Sequence, residues 1–146
     1  GSVEMDTSIK SDIDATTVTS KFTPIAYELG GIDSKTGALV DSDNRIRLLD
    51  FIPVSKTSGL TIQVNISNAN YAAINRCYDT DKNYLGSNDT SFYVSGSVNL
   101  KADSKYIKLL IAASKTPSTI SNDTVFNRCV INVDRNYYTL TKNIQQ

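Results

Sequence analysis

Asn44 to Ile66 reads NRIRLLDFIPVSKTSGLTIQVNI, and this stretch decides the fold. Ile46, Leu48, Ile52 and Val54 fall at even positions, and Leu60, Ile62, Val64 and Ile66 resume the spacing after a break. Apolar side chains at every second residue put one face of a strand in a core and leave the other facing water. Ser55-Lys56-Thr57-Ser58-Gly59 is turn chemistry, so the expectation is an antiparallel pair at the centre of a β-sandwich. Asp50 interrupts the pattern, with Leu49 and Phe51 on the other face. A bulge near Leu48-Leu49 accounts for this, because one extra residue reverses the buried face; the alternative is a strand covered on both sides.

Similar segments flank this pair. Upstream, Lys21 to Leu29 is an apolar segment that Pro24 restricts to an edge or a strand start. Gly30-Gly31 and Asp33 to Gly37 then form turns. Downstream come Tyr71 to Tyr78, a hairpin over Asp79 to Asn83, and Tyr84 to Gly86. Ser91 to Leu100 follows, with Gly96 marking a bulge or a close approach, then Lys105 to Ala113, Val125 to Val133 and Asn136 to Thr141. Short strands with turn signals between them, and no amphipathic helix, predict an all-β antiparallel sandwich. Residues 1–20 are polar and without period; they read as the scar of a cleaved tag (Gly1-Ser2), a linker and room for one edge strand. Residues 21–146 form the single domain, and the chain reads as a module of a longer protein.

Composition removes several function classes. Among the 146 residues, 15 Lys and Arg balance 15 Asp and Glu, which speaks against nucleic acid or a membrane surface as partner. No apolar run approaches the roughly 20 residues that span a bilayer, and the expectation from the opening residues is no signal peptide. With no histidine, Ser-His-Asp and Cys-His mechanisms are excluded. Glu4 and Glu28 are the only glutamates, and no pair of acids stands out as a hydrolase pair, so the expectation is a non-enzyme. Cys77 and Cys129 are too few for a structural zinc site; they pair as a disulfide or stay as buried thiols.

The order of segments carries a resemblance. Asn44-Arg45-Ile46-Arg47 leads into Asp50-Phe51-Ile52-Pro53-Val54; Cys77-Tyr78-Asp79 precedes Asp81-Lys82-Asn83-Tyr84-Leu85-Gly86; Lys105-Tyr106-Ile107-Lys108-Leu109 and Thr119-Ile120-Ser121 follow. Over about residues 22 to 134 this resembles small jelly-roll, galactose-binding-like carbohydrate-binding modules. Such modules recur in phage tail and baseplate proteins and in secreted multimodular glycoside hydrolases and adhesins. Members commonly place two aromatics before the hairpin Asp, and here one of those positions is Cys77. The resemblance implies binding of cell-wall or plant polysaccharide without bond breaking, beside other modules of a parent protein, extracellularly or on a virion surface. It implies no cofactor, though relatives often hold a structural calcium ion.

Tyr71, Tyr78, Tyr84, Tyr93 and Tyr106 are candidate rings for packing sugar faces, because tyrosine joins a flat apolar face to a hydroxyl. The same rings serve equally as core or cross-strand pairs. Arg45, Arg47, Arg76 and Arg128 offer guanidinium forks for vicinal hydroxyls or a sugar carboxylate, or else form structural pairs. Arg76, Tyr78 and Asp79 together make a candidate polar-aromatic patch. Asp79-x-Asp81-x-Asn83 starts like a calcium loop, but Tyr84 and Thr90 stand where an EF-hand needs Gly and an acid; an Asx turn is the simpler reading.

Overall fold

A computed structural model of the chain describes residues 21–65, 71–88, 91–92, 95–113, 126 and 129–143. The expected linker and edge strand at 1–20, together with Tyr93, Thr119 to Ser121 and Arg128, lie outside the described residues. Among the described residues the chain is all-β, in thirteen strands. These are β1 (Thr23–Leu29), β2 (Gly31–Ile32), β3 (Leu39–Val40), β4 (Arg45–Leu48), β5 (Ile52–Pro53), β6 (Leu60–Asn65) and β7 (Tyr71–Tyr78). Then follow β8 (Tyr84–Gly86), β9 (Ser91–Phe92), β10 (Ser95–Val98), β11 (Tyr106–Ala113), β12 (Val130–Val133) and β13 (Asn136–Lys142).

One eleven-stranded sheet runs β10-β6-β12-β13-β1-β4-β11-β7-β8, with β5 added on β11 and β9 on β7. It curls so that both halves contribute to one core, giving the sandwich-like arrangement the alternation predicts. Ile46, Leu48 and Ile107 come from one half, and Leu60, Ile62, Val64 and Ile131 from the other. Burying each such side chain is worth roughly 1.5–3 kcal/mol, and this burial is what holds the two halves together.

Three expectations change. The two halves of the opening stretch are not paired: β4 lies between β1 and β11, whereas β6 lies between β10 and β12. Alternation specifies which face of a strand is buried but not its neighbour, so Ser55 to Gly59 crosses between sheet halves instead of closing a hairpin. The sheet is also not wholly antiparallel, since β1 runs parallel to β13 from Thr23↔Tyr138 to Tyr27↔Lys142. Nor is the irregularity after Leu48 a one-residue bulge. Arg47 faces Leu110 and Ile52 faces Ile107, so four residues on one side span two on β11. Two extra residues leave the parity unchanged, which is why Ile46, Leu48 and Ile52 are all buried while Asp50 is exposed and Phe51 half-exposed. At Gly96 the β10–β6 register is continuous, so this glycine marks no bulge.

The β2–β3 pair forms a small arm over the outer face of the large sheet. The Asp33 carboxylate folds its tip, accepting from the Lys35 and Thr36 backbone N–H groups (3.0 and 2.8 Å) and from the Thr36 hydroxyl at 3.0 Å. Those bonds hold the Asp33 carboxyl below its usual range. Under the arm, β7 is buried on both faces: Ala73 and Cys77 point to the core, Arg76 and Tyr78 to the covered side.

Candidate functional site

Of the described residues singled out from the sequence, Tyr71 faces the core, stacked on Phe126, and the others lie along the outer side of β4, β11, β7 and β8 and the β7–β8 turn, where they do different work. Arg47 faces Glu28 across the β1–β4 ladder and pairs with it, its Nη2 and Nε lying 2.7 and 2.8 Å from Glu28 Oε2. Its Nη1 donates to the backbone oxygens of Gly31 and Val40 at 2.8 and 3.0 Å, which clamps both strands of the arm. Gly30 leaves room for this fork: a Cβ there would stand 2.5 Å from Arg47 Nη1. Arg45 is half-buried one step along, opposite Ala112.

Arg76 is only 4% exposed. Its Nε donates to the Ile32 backbone oxygen at 2.9 Å and its Nη1 to Ser87 Oγ at 2.9 Å. Tyr78 is 6% exposed, boxed edge-on by Phe51 at 4.9 Å and Tyr84 at 5.4 Å between ring centroids. Burial and the neighbouring Tyr84 push its phenol up to about 12. The expected surface patch of Arg76, Tyr78 and Asp79 is therefore corrected: Arg76 is covered by the arm that it bonds at Ile32, and Tyr78 by the rings of Phe51 and Tyr84.

The Asp79 carboxylate is spent on its own turn, accepting from the backbone N–H groups of Asp81 and Asn83 at 2.9 Å each. These bonds lower its pKa and bear out the Asx-turn reading. Among the described residues no group of three or more Cys, Asp or Glu side chains is placed to hold a metal ion. Tyr84 donates its hydroxyl to the Ser34 backbone oxygen at 2.6 Å. Its ring lies where a Cβ on Gly37 (φ 77°) would come within 2.5 Å, so that turn needs glycine twice over. Cys77 and Cys129 are separate buried thiols, and burial pushes Cys129 up to about 12.

Of the described residues predicted for the site, Tyr106 lines a cleft. It is half-buried, and the cleft, of about 490 Å³, has Thr23, Asp50, Phe51, Pro53 and Lys82 at the rim. Ile25 and Tyr138, both buried, form its floor. A cross-strand row runs through it, from Pro53 to Tyr106, Tyr78 and Tyr84. Phe51 stands over that row, its ring 5.9 Å from Tyr106 and tilted 70° to it. The excursion after Leu48 is what carries Phe51 outward.

Two lysines complete the cluster. Lys82 Nζ lies 5.2 Å from the centroids of both Phe51 and Tyr106, and Lys108 Nζ lies 4.3 Å above Phe51. Burial lowers the Lys108 pKa, against the opposing pull of Asp50. Lys82 has φ 66°, a left-handed backbone held by its N–H bond to the Asp79 oxygen at 2.9 Å.

Phe51, Lys82 and Lys108 are absent from the residues singled out by sequence. For Lys108 a signal exists, since it lies two residues from Tyr106 and so shares its face. Lys82 and Phe51 sit in irregular segments, where no period tells which way a side chain points. Among the described residues no helix is long and apolar enough to cross a membrane. No family model, curated protein or solved structure matches this chain.

Proposed function

We propose that the protein is a non-catalytic carbohydrate-binding module that attaches a phage tail or a secreted multimodular bacterial protein to a glycan. It acts extracellularly or on a virion surface, as the resemblance in its segment order implies. The observation that carries this reading is the open cleft in which half-buried Phe51 and Tyr106 stand beside Thr23, Asp50 and Lys82. Ring faces and edges match the apolar face of a sugar, while a hydroxyl, a carboxylate and an ammonium match its hydroxyl groups. One such site binds in the micromolar to millimolar range, roughly −8 to −4 kcal/mol, and repetition in a parent assembly raises avidity.

A second reading, an interaction domain without a sugar site, draws on one feature. Leu39 is 59% exposed and Leu29 52% exposed, beside Val40 on the arm. A glycan array followed by calorimetry separates the two. The carbohydrate reading expects binding that Tyr106→Ala abolishes, while Tyr137→Ala, which alters a ring tilted against Phe22 and outside the cleft lining, leaves it intact. Absence of binding to cell-wall, plant and host glycans, with stable association to a partner protein, would overturn it.

A further inference from the structure

We infer that the saccharide taken by this cleft is acidic, carrying a carboxylate or a phosphodiester that Lys82 and Lys108 neutralise. This names the ligand class of the proposed carbohydrate site and rests on that reading.

The inference starts from two cations that the protein itself does not pair. Neither Lys82 nor Lys108 has a carboxylate within ion-pair distance among the described residues, whereas Arg47 and Lys56 do. Each ammonium is instead held against rings: Lys82 by Phe51 and Tyr106, Lys108 by Phe51 and, at 5.9 Å, Tyr78. Both ammoniums meet the Phe51 ring, at 5.2 and 4.3 Å from its centroid, and that ring lines the cleft. An ammonium that is partly shielded from water yet lacks an anion gains from a ligand that brings one.

The charged groups acting on Lys108 are Asp50, Arg47 and Glu28. Glu28 is committed to Arg47, which leaves Asp50 as the carboxylate at the cleft rim. Asp79 is committed to backbone N–H groups of the turn that carries Lys82. Lys82 thus shares the cleft rim with one acid, Asp50, and Lys108 stands against the Phe51 ring that lines the same cleft. Lys82 also keeps a left-handed backbone that a non-glycine residue adopts only when its surroundings enforce it. That strain is in place where the side chain meets the cleft. In this arrangement Asp50 is positioned to accept from a sugar hydroxyl and to turn the ligand's anion toward the lysines.

The test is calorimetric titration of the full chain with three probes of matched length: a neutral oligosaccharide, an oligogalacturonate and a glycerol-phosphate oligomer. At least one acidic probe is expected to bind about tenfold or more tighter than the neutral one. Lys82→Met and Lys108→Met each lower the ratio of acidic to neutral affinity by roughly that factor, and Asp50→Asn raises it. Lys56→Met, paired with Asp134 away from the cleft, controls for net charge. Methionine keeps the apolar stem over the ring, and thermal unfolding of each variant checks that it is folded. Preference for uronate or for phosphodiester identifies the source of the anion. If the neutral probe binds as tightly as both acidic ones, or the lysine variants retain full acidic binding, the inference fails and the carbohydrate reading stands. If none of the three binds, both fall.

Discussion

Two arginines and two lysines occupy the same outer face, and the protein treats them in opposite ways. Arg47 and Arg76 donate to backbone oxygens of the β2–β3 arm and are almost closed off from water, with the Arg47 side chain 12% exposed. Lys82 and Lys108 stand over rings at the other end, with no carboxylate at ion-pair distance among the described residues. A planar fork with several fixed donors suits the joining of two chain segments, whereas a single ammonium on a long stem stays available beside an aromatic surface. The difference divides the face into a structural end and an open end.

The sharpest way to break this division is Arg76→Ala. It removes charge-assisted bonds to Ile32 and Ser87 under the arm. A loss of about 3 kcal/mol in urea unfolding is expected; a change below about 1 kcal/mol would mean the structural end is misassigned.

A smaller effect separates the two ends by pH. The Tyr78 phenol is raised from 10.0 to about 12, first by burial and then by Tyr84. A raised folded-state pKa gives stability that is whole below pH 10 and is lost as pH rises toward 12. That loss is on the order of 2 kcal/mol, and Tyr78→Phe should remove it from the alkaline unfolding profile. An unchanged profile in that variant would place Tyr78 in water and the boundary of the covered end elsewhere.

The smallest effect is expected at the open end. Lys82→Met and Lys108→Met exchange a cation–ring contact for an apolar one, so thermal unfolding should shift by no more than about 1 kcal/mol. A larger loss would make the lysines part of the scaffold.

Most of the strand content was legible in the sequence because a period of two needs no knowledge of neighbours. Ile46, Leu48, Ile62, Val64, Ile107 and Ile131 all face the core as alternation requires. Partnership was not legible: β4 and β6 are close in sequence yet lie in different halves, and the adjacency of β1 and β13 joins residues more than a hundred positions apart. The site shows the same limit. Alternation put Arg76 and Tyr78 on the face away from the core, and only the fold reveals that the arm returns over Arg76 and that Phe51 and Tyr84 close over Tyr78. Tyr106 stays at a cleft because only the side chains of Phe51 and Lys82 stand over it.

The side-by-side placement of β1 and β13 has a mechanical consequence. These strands run in the same direction, with five facing pairs from Thr23↔Tyr138 to Tyr27↔Lys142. Tension applied between residues 23 and 142 therefore slides one strand along the other. The inter-strand bonds then share the load instead of opening one after another, as they would in a hairpin peeled from its open end. The geometry suits a domain that has to stay folded while it is being pulled.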